Sequence, residues 1–341
     1  MKESNHPRNY MIDNLKVILM VLVVFGHFAA NCRGLYQMNA VYQFVYLFHM
    51  PCFVLVSGYL SKRVHADGKL RAEKVLSFLW LYLLFKAGLA VIRMLFGKGF
   101  ELELFEDGAA PWYLLSMAVW YLLIPLIERI KPCWMLILSV AVGLGAGYVG
   151  VIGARFSMSR NLVYLPFFVL GFYLTEERLA AFLKHRLRLA AAAVMALVLL
   201  ACMIFYKELI PYLPISYGGK AYYSFAEQWN PAAGALVRLV WYMVAFLLSA
   251  CLVLLAPRCR TWFSKFGPRT LQIYILHVLL KSVFVYSGGA EFVAGLPDAV
   301  GWLVLTGGSV VLTIVLGNLV FKRIFDVIQA VPLFKKIMTD D

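Results

Sequence analysis

The stretch DNLKVILMVLVVFGHFAAN, residues 13–31, decides the fold because it is a long apolar run that contains two ionisable side chains, Lys16 and His27. A run of this length predicts a membrane-spanning helix, which needs about 20 apolar residues. His27 follows Lys16 by eleven residues. Eleven helical steps of about 100° complete roughly three turns, so the two side chains lie on the same face of the helix, roughly 16 Å apart along its axis. Ionisable groups inside a membrane usually face a bundle interior or a watery cavity, and they often mark a functional site.

A purely structural role is the alternative for both side chains. A lysine near the end of a span can extend its ammonium to the lipid headgroups, and an imidazole can hydrogen-bond to a neighbouring helix. We favour function for His27, while the two interpretations of Lys16 stay open.

The composition predicts an all-α, polytopic membrane protein. Hydrophobic residues make up 62% of the 341 residues and charged residues only 15%, too few to cover a water-exposed surface. We expect one integral domain over residues 1–341, with a retained first helix. Runs long enough to span are expected at about 15–32, 41–60, 75–95, 112–128, 133–152, 160–176, 187–206, 235–255, 271–287 and 299–321.

The positive charges predict that both termini are cytoplasmic. Every second connection between the predicted spans, together with the two termini, carries most of the Lys and Arg residues. Such an excess of positive charge is typical of cytoplasmic loops. The opposite set carries only Arg33, Lys98, Arg155, Arg160, Lys207 and Lys220. The formal charge of +14 therefore reflects topology and attraction to anionic membrane lipids. We predict no nucleic-acid binding.

The cysteines and histidines predict neither a disulfide nor a metal site. Six cysteines are widely spaced, mostly in or near apolar runs, where a thiol behaves as a small hydrophobe. No short cluster has the spacing of zinc ligands. The long connections near 97–111 and 206–234, the second rich in Tyr and Trp, could contact sugars, although such residues also belong at membrane interfaces.

Counting residues along the predicted spans places several ionisable groups in one layer. His27 and His49 both come out about 18 Å above the cytoplasmic side, Lys86 about 16 Å, and His277 only about 9 Å. No Asp or Glu is expected deep in a span. Histidine is then the group that titrates near neutral pH, and general-base chemistry falls to His27 or His49.

Five blocks of the sequence resemble, in order, the acyltransferase-3 family of membrane acyltransferases, particularly its fucose 4-O-acetylase-like branch. The family pattern of a basic residue, ten residues and a histidine matches Lys16 and His27, although arginine is commoner at the first position. The other blocks are FHMPCFVLVSGYLSKR (48–63), PWYLLSM (111–117), LPFFVLGFYL (165–174) and GPRTLQIYILH (267–277).

The resemblance implies transfer of an acetyl group from acetyl-CoA to a hydroxyl of a glycan or lipid-linked sugar, in a bacterial cytoplasmic membrane and without a metal. His27 is the expected base, and His49 would assist it or orient a substrate. Near the cytoplasmic side, Lys16, Arg71 and Lys74 are the candidates for the CoA phosphates. The candidates for the substrate cavity are Lys86, from its depth, and Tyr59, Trp112, Tyr113, Tyr274 and His277, which match family positions.

Other functions remain open at this point. The same chain could transfer another acyl group, such as succinyl. Ten helices with buried cations would also suit a glycan transporter or flippase, and a sensor or scaffold without chemistry is a third possibility.

Overall fold

A computed structural model describes residues 8–32, 36–66, 68–104, 110–150 and 155–329. In these ranges the regular structure is almost entirely helical. The one exception in the described chain is a hairpin of two-residue strands, His65–Ala66 (β1) and Lys69–Leu70 (β2), paired antiparallel. The predicted all-α class is confirmed.

The described residues form fifteen α-helices joined by short connections. The first seven are α1 Tyr10–Ala29, α2 Tyr36–Leu60, α3 Ala72–Leu95, α4 Trp112–Arg129, α5 Pro132–Gly145, α6 Met158–Val163 and α7 Leu165–Tyr173. The remaining eight are α8 Glu176–Phe182, α9 Leu187–Ile204, α10 Tyr206–Leu209, α11 Gly234–Leu255, α12 Thr270–Tyr286, α13 Gly289–Ala294, α14 Asp298–Leu316 and α15 Leu319–Gln329. Short 3₁₀ turns at Ser61–Arg63, Ala146–Tyr148, Ile210–Tyr217, Tyr222–Phe225, Pro231–Ala233 and Ser264–Arg269 complete the fold.

Six helices in the described ranges are long and apolar enough to cross a membrane. They are α1, α2, α3, α9, α11 and α14, or segments that extend them by a few residues. This supports a multi-pass membrane protein. The total of ten spans and the cytoplasmic position of both termini stay predictions.

The region predicted as one span at 160–176 forms two short helices. Helices α6 and α7 meet at Tyr164, and Pro166 lies in the first turn of α7. Proline is tolerated there because the first-turn N–H groups have no intrahelical acceptor. Nine residues of α7 extend about 13 Å, less than half of a hydrocarbon layer of about 30 Å.

Helix α1 lies at the centre of the bundle and contacts α2, α12 and α14. Its side chains Leu15, Leu19 and Met20 are fully buried. A helix that is apolar around most of its circumference can be enclosed in this way. The last turn of α1 and the middle of α2 are thereby held next to α12, and these three segments carry the candidate site.

Asn14 fixes the start of α1 to the connection before α12. The side-chain amide is fully buried and donates to the carbonyls of Pro257 and Cys259, each at 2.9 Å. The side-chain oxygen accepts from the hydroxyls of Thr261 at 2.8 Å and Ser264 at 2.7 Å. Every hydrogen-bonding position of this buried amide is therefore used, as a low-dielectric interior requires.

Helices α2 and α7 approach each other through two glycines. A Cβ atom on Gly58 would lie 2.1 Å from the carbonyl oxygen of Phe168, and one on Gly171 would lie 1.9 Å from that of Leu55. Small residues allow such close backbone contact between membrane helices, where packing replaces the hydrophobic effect. The SGY and VLGFY blocks thus meet in one interface.

We expect Gly58→Ala to destabilise the protein by at least about 1–3 kcal/mol, the usual cost of overpacking. The new Cβ atom would meet the backbone carbonyl oxygen of Phe168, which cannot rotate away as a side chain could. Thermal unfolding in detergent should show a lower midpoint. Gly307→Ala in α14 is the control, because a Cβ there meets nothing within 4 Å. Equal midpoints for the two variants would contradict the close contact.

Candidate active site

Two histidines from distant parts of the chain form a hydrogen-bonded pair. Nδ1 of His27, in the last turn of α1, lies 2.8 Å from Nε2 of His277 in α12. The two rings stack with centroids 5.0 Å apart and planes inclined by 16°. His277 is fully buried, whereas His27 is partly buried and lines a cavity.

The hydrogen-bond network assigns the protons of this pair. Nδ1 of His277 lies 2.9 Å from the carbonyl oxygen of Ile273, which can only accept, so this nitrogen donates. In a neutral imidazole the other nitrogen is then an acceptor. Nε2 of His277 therefore accepts from Nδ1 of His27, and Nε2 of His27 keeps its lone pair.

His49 lines the same cavity from α2. Its Nδ1 donates to the carbonyl of Val45 at 2.8 Å, and its ring meets the edge of Tyr46 with centroids 4.6 Å apart. By the same reasoning Nε2 of His49 is an acceptor. Two imidazoles with an unprotonated Nε2 thus line one cavity, and each ring is held by a hydrogen bond at its Nδ1.

The cavity around these nitrogens, here called the histidine cavity, has a volume of about 240 Å³. Six aromatic and two basic side chains line it, together with the carboxamide of Asn31. The aromatic residues are Tyr42, Tyr46, Trp112, Tyr164, Tyr217 and Tyr274, and the basic ones are Arg160 and Lys281.

Contacts among these residues fix the shape of the cavity. The hydroxyls of Tyr42 and Tyr217 lie 2.9 Å apart, and Nε of Arg160 donates to the carbonyl of Tyr217 at 3.0 Å. Trp112 and Tyr164 stack with centroids 4.9 Å apart. A preformed concave site with aromatic walls and a few placed polar groups is typical of small-molecule recognition.

A second cavity, here called the lysine cavity, has a volume of about 140 Å³ and contains Lys16. Its polar wall also carries the hydroxyls of Ser57 and Tyr113, which lie 2.8 Å apart. The rest is largely apolar and includes Phe53 and Phe78. Lys16 itself lies 4.0 Å from Asp13, whose carboxylate is bound more closely by Arg8 at 2.6 Å.

Tyr274 lines both cavities and lies where they meet. Its hydroxyl donates to the carbonyl of Ala110, and its ring contacts Tyr113 with centroids 5.3 Å apart. The ring also contacts His277 at 5.9 Å between centroids. The histidine pair is therefore separated from the lysine cavity by one layer of aromatic side chains.

The structure brings together most of the residues singled out from the sequence. His27, His49, Trp112 and Tyr274 line the histidine cavity, and Lys16, Tyr113 and Tyr274 line the lysine cavity. His277 lies directly behind His27. The depth estimate that placed it about 9 Å below His27 was wrong, because residue counts measure distance along each helix axis and take no account of tilt and offset.

Four other candidates line neither cavity. Lys86 lines another cavity, of about 210 Å³, with Arg93 and Glu101. Lys281 lines both this cavity and the histidine cavity. Tyr59 is partly buried, with the ammonium of Lys62 4.8 Å from its ring centroid. Exposed positions at the start of α3 are occupied by Arg71 and Lys74.

Sequence reasoning missed several residues of the histidine cavity. Lys281 follows His277 by four positions and therefore lies on the same helix face, a spacing that could have revealed it. Arg160 was assigned to an outer connection. Tyr42 and Tyr46 also have helical spacing, but interface tyrosines show the same pattern. Tyr217 lies in the Tyr-rich connection 206–234, whereas no signal marked Tyr164.

The described residues include no group of three or more His, Cys, Asp or Glu side chains that could hold a metal ion. The six cysteines are free thiols. The polar side chains that line the two cavities are imidazoles, hydroxyl groups, basic side chains and the carboxamide of Asn31.

Comparisons with known proteins agree with this arrangement. The acyltransferase domain family matches residues 9–318. The nodulation protein NolL of Sinorhizobium fredii (strain NBRC 101917 / NGR234) is 27% identical over 199 residues, 52% of this chain and 53% of that protein. The chain thus spans about half the length of this curated relative. No solved structure matches the chain. Because the family match covers both cavities and nearly the whole described chain, the protein belongs to the acyltransferase-3 family of membrane acyltransferases.

Proposed function

We propose that this membrane acyltransferase moves an acetyl group from acetyl-CoA to a hydroxyl of a cell-envelope or exported glycan, with His27 as general base. The observation that carries the proposal is the fixed histidine pair. Nδ1 of His27 is bound to His277 at 2.8 Å, while the ring lines an aromatic cavity. An imidazole held by one nitrogen and open at the other is the usual arrangement of a general base.

The donor would enter by way of the lysine cavity. CoA carries phosphates that cannot enter hydrocarbon, so they would stay near the membrane surface at the end of the bundle where α1 begins. Lys16 lies in the cavity at this end, and Arg71 and Lys74 are exposed at the start of α3. The narrow, largely apolar lysine cavity suits the pantetheine arm, which would bring the thioester towards Tyr274 and His27.

The acceptor would occupy the histidine cavity. Sugar rings stack on aromatic side chains, and their hydroxyls need hydrogen-bond partners. Nε2 of His49 can accept from a hydroxyl next to the reacting one and so orient the sugar. The six aromatic side chains around it supply the stacking surface.

The chemistry then follows from the proton assignment. The oxygen of the acceptor hydroxyl attacks the thioester carbon, and a C–O bond forms. Nε2 of His27 takes the proton of this hydroxyl during the attack. The carbon–sulfur bond breaks, and the same nitrogen returns the proton to the CoA sulfur. The products are the acetyl ester and free CoA thiol. While His27 is charged, its Nδ1–H bond to His277 becomes a stronger, charge-assisted bond.

Replacement of His27 by alanine should abolish this reaction. A positioned general base contributes about 10²–10⁴-fold to the rate, and we expect a loss of at least this size in His27→Ala. The measurement is time-resolved release of CoA thiol by protein in lipid, given acetyl-CoA and envelope glycan extract. His185→Ala, at an exposed histidine, should behave as wild type.

Two results would contradict the proposal. Thiol release by a folded His27→Ala variant at the wild-type rate would remove His27 from the reaction. No release by wild type with acetyl-CoA, succinyl-CoA or other donors, together with export of the glycan, would favour the transporter.

His277 should act through His27 as a positioning residue. We expect His277→Leu to lower kcat by about 10- to 100-fold, the loss typical when the orienting partner of a histidine is removed. KM for acetyl-CoA should change little, because His277 lines neither cavity. His277→Gln should recover much of the rate, since its side-chain oxygen can accept from His27. Equal rates for the Leu and Gln variants would show that only packing matters.

Lys16 should contribute to donor binding. We expect Lys16→Gln to raise KM for acetyl-CoA about tenfold, as for loss of a hydrogen bond to a charged group, and Lys16→Arg to retain a low KM. The control is Lys265→Gln, an exposed lysine in the 3₁₀ turn that packs against α1. An equal change in both Gln variants would assign the effect to general surface charge.

A further inference from the structure

A fourth cavity lies beside the histidine cavity and is different in character. It has a volume of about 510 Å³ and is bounded by α2, α9, α11 and the 3₁₀ turn Ile210–Tyr217. Its wall is almost wholly apolar and includes Leu47, Val198, Leu213 and Val240. It is here called the lateral cavity.

The lateral cavity opens towards the membrane. Two of its lining residues on α11 are well exposed, Leu236 at 64% and Val240 at 47%. Both lie on a helix long and apolar enough to span the bilayer. The surroundings of this opening are therefore lipid, and a hydrocarbon chain is the occupant that its walls and its position favour.

One polar group in this apolar wall has no partner. Gln43 is only 3% exposed, and its side-chain oxygen makes no hydrogen bond within the described chain. Neighbouring polar groups are satisfied, since Trp241 Nε1 donates to the carbonyl of Leu47 and the Ser216 hydroxyl to that of Leu213. A buried carboxamide oxygen without a hydrogen-bond partner is unfavourable, so a donor to this oxygen is expected to come from a ligand.

The lateral and histidine cavities are separated by a thin wall. Tyr42 and Tyr217 line the histidine cavity, and the residues next to them in sequence, Gln43 and Ser216, line the lateral one. The wall is closed by the contact between the two tyrosine hydroxyls at 2.9 Å. A molecule with a chain in the lateral cavity therefore has its polar end close to the histidine pair.

We propose that the lateral cavity binds the hydrocarbon chain of a lipid-linked acceptor, with the carboxamide of Gln43 hydrogen-bonded at the junction between chain and sugar. The sugar then reaches the histidine cavity past the Tyr42–Tyr217 wall. This inference rests on the proposed function and specifies its acceptor as an amphiphile. The carboxamide can donate to a linkage oxygen and accept from a sugar hydroxyl, so it suits such a junction.

The kinetic test compares two acceptors that share one sugar, a methyl glycoside and a dodecyl glycoside, with enzyme in lipid nanodiscs. Val240→Trp fills the lateral cavity. Its matched control is Met243→Trp, at an exposed position of the same helix that lines none of the four cavities described. We expect Val240→Trp to raise KM for the dodecyl glycoside at least tenfold and leave the methyl glycoside unchanged. Gln43→Leu should also raise KM for the dodecyl glycoside selectively. Met243→Trp should change KM for neither acceptor.

Equal effects of Val240→Trp on the two acceptors, or equal KM values for them in wild type, would overturn the proposal. Loss of thiol release with both acceptors in His27→Ala confirms that the assay reports the proposed reaction. The failure of the proposed function is thus seen separately, as absence of release from wild type with every acceptor.

A binding test needs no turnover. A dodecyl glucoside with a diazirine in its chain is photolysed with the protein, and the labelled peptides are mapped by mass spectrometry. We expect labels on α9 and α11 in wild type and in His27→Ala, and their loss in Val240→Trp but not in Met243→Trp. Labelling of α9 and α11 that persists in Val240→Trp, or labelling only elsewhere, would overturn the site.

Discussion

Polar side chains enclosed in a membrane bundle must find their partners inside the protein, because the surrounding hydrocarbon offers none. This constraint shapes α1 at both ends. Near its start, Asn14 uses its whole amide on the connection that precedes α12. In its last turn, His27 reaches His277 on α12 itself. These two polar contacts hold α1 against the connection before α12 and against the first half of α12.

The second of these contacts also prepares the chemistry. The carbonyl of Ile273 in α12 orients His277, and His277 orients His27. The lone pair on Nε2 of His27 is then free for chemistry. No carboxylate takes part in this chain of bonds. The orienting group is instead a neutral imidazole, which avoids an unpaired negative charge inside the membrane. Packing between helices and proton placement thus depend on the same few atoms.

The sequence alone was sufficient for the class of protein and for the expectation that His27 and His49 lie at a similar depth, and both line one cavity. These follow from apolar run length and from helical spacing, which are local properties. The partnership of His27 with His277 is not local, since it depends on the tilt and offset of α1 and α12. Pro166 is a sequence signal for the division of residues 160–176 into α6 and α7. The contact of Gly58 and Gly171 between α2 and α7 is not local and could not be predicted from the sequence.

The aromatic layer around Tyr274 has a consequence for the cell that harbours the protein. Two water-accessible cavities that joined end to end would form a pore, and ions would cross it down their gradient. Tyr274 is tied to the carbonyl of Ala110 and packed against Tyr113, so the two cavities meet at side chains and not at an open passage. In the proposed reaction, the pantetheine arm would fill the gap that it opens between these rings. The membrane would then stay closed to ions during the transfer.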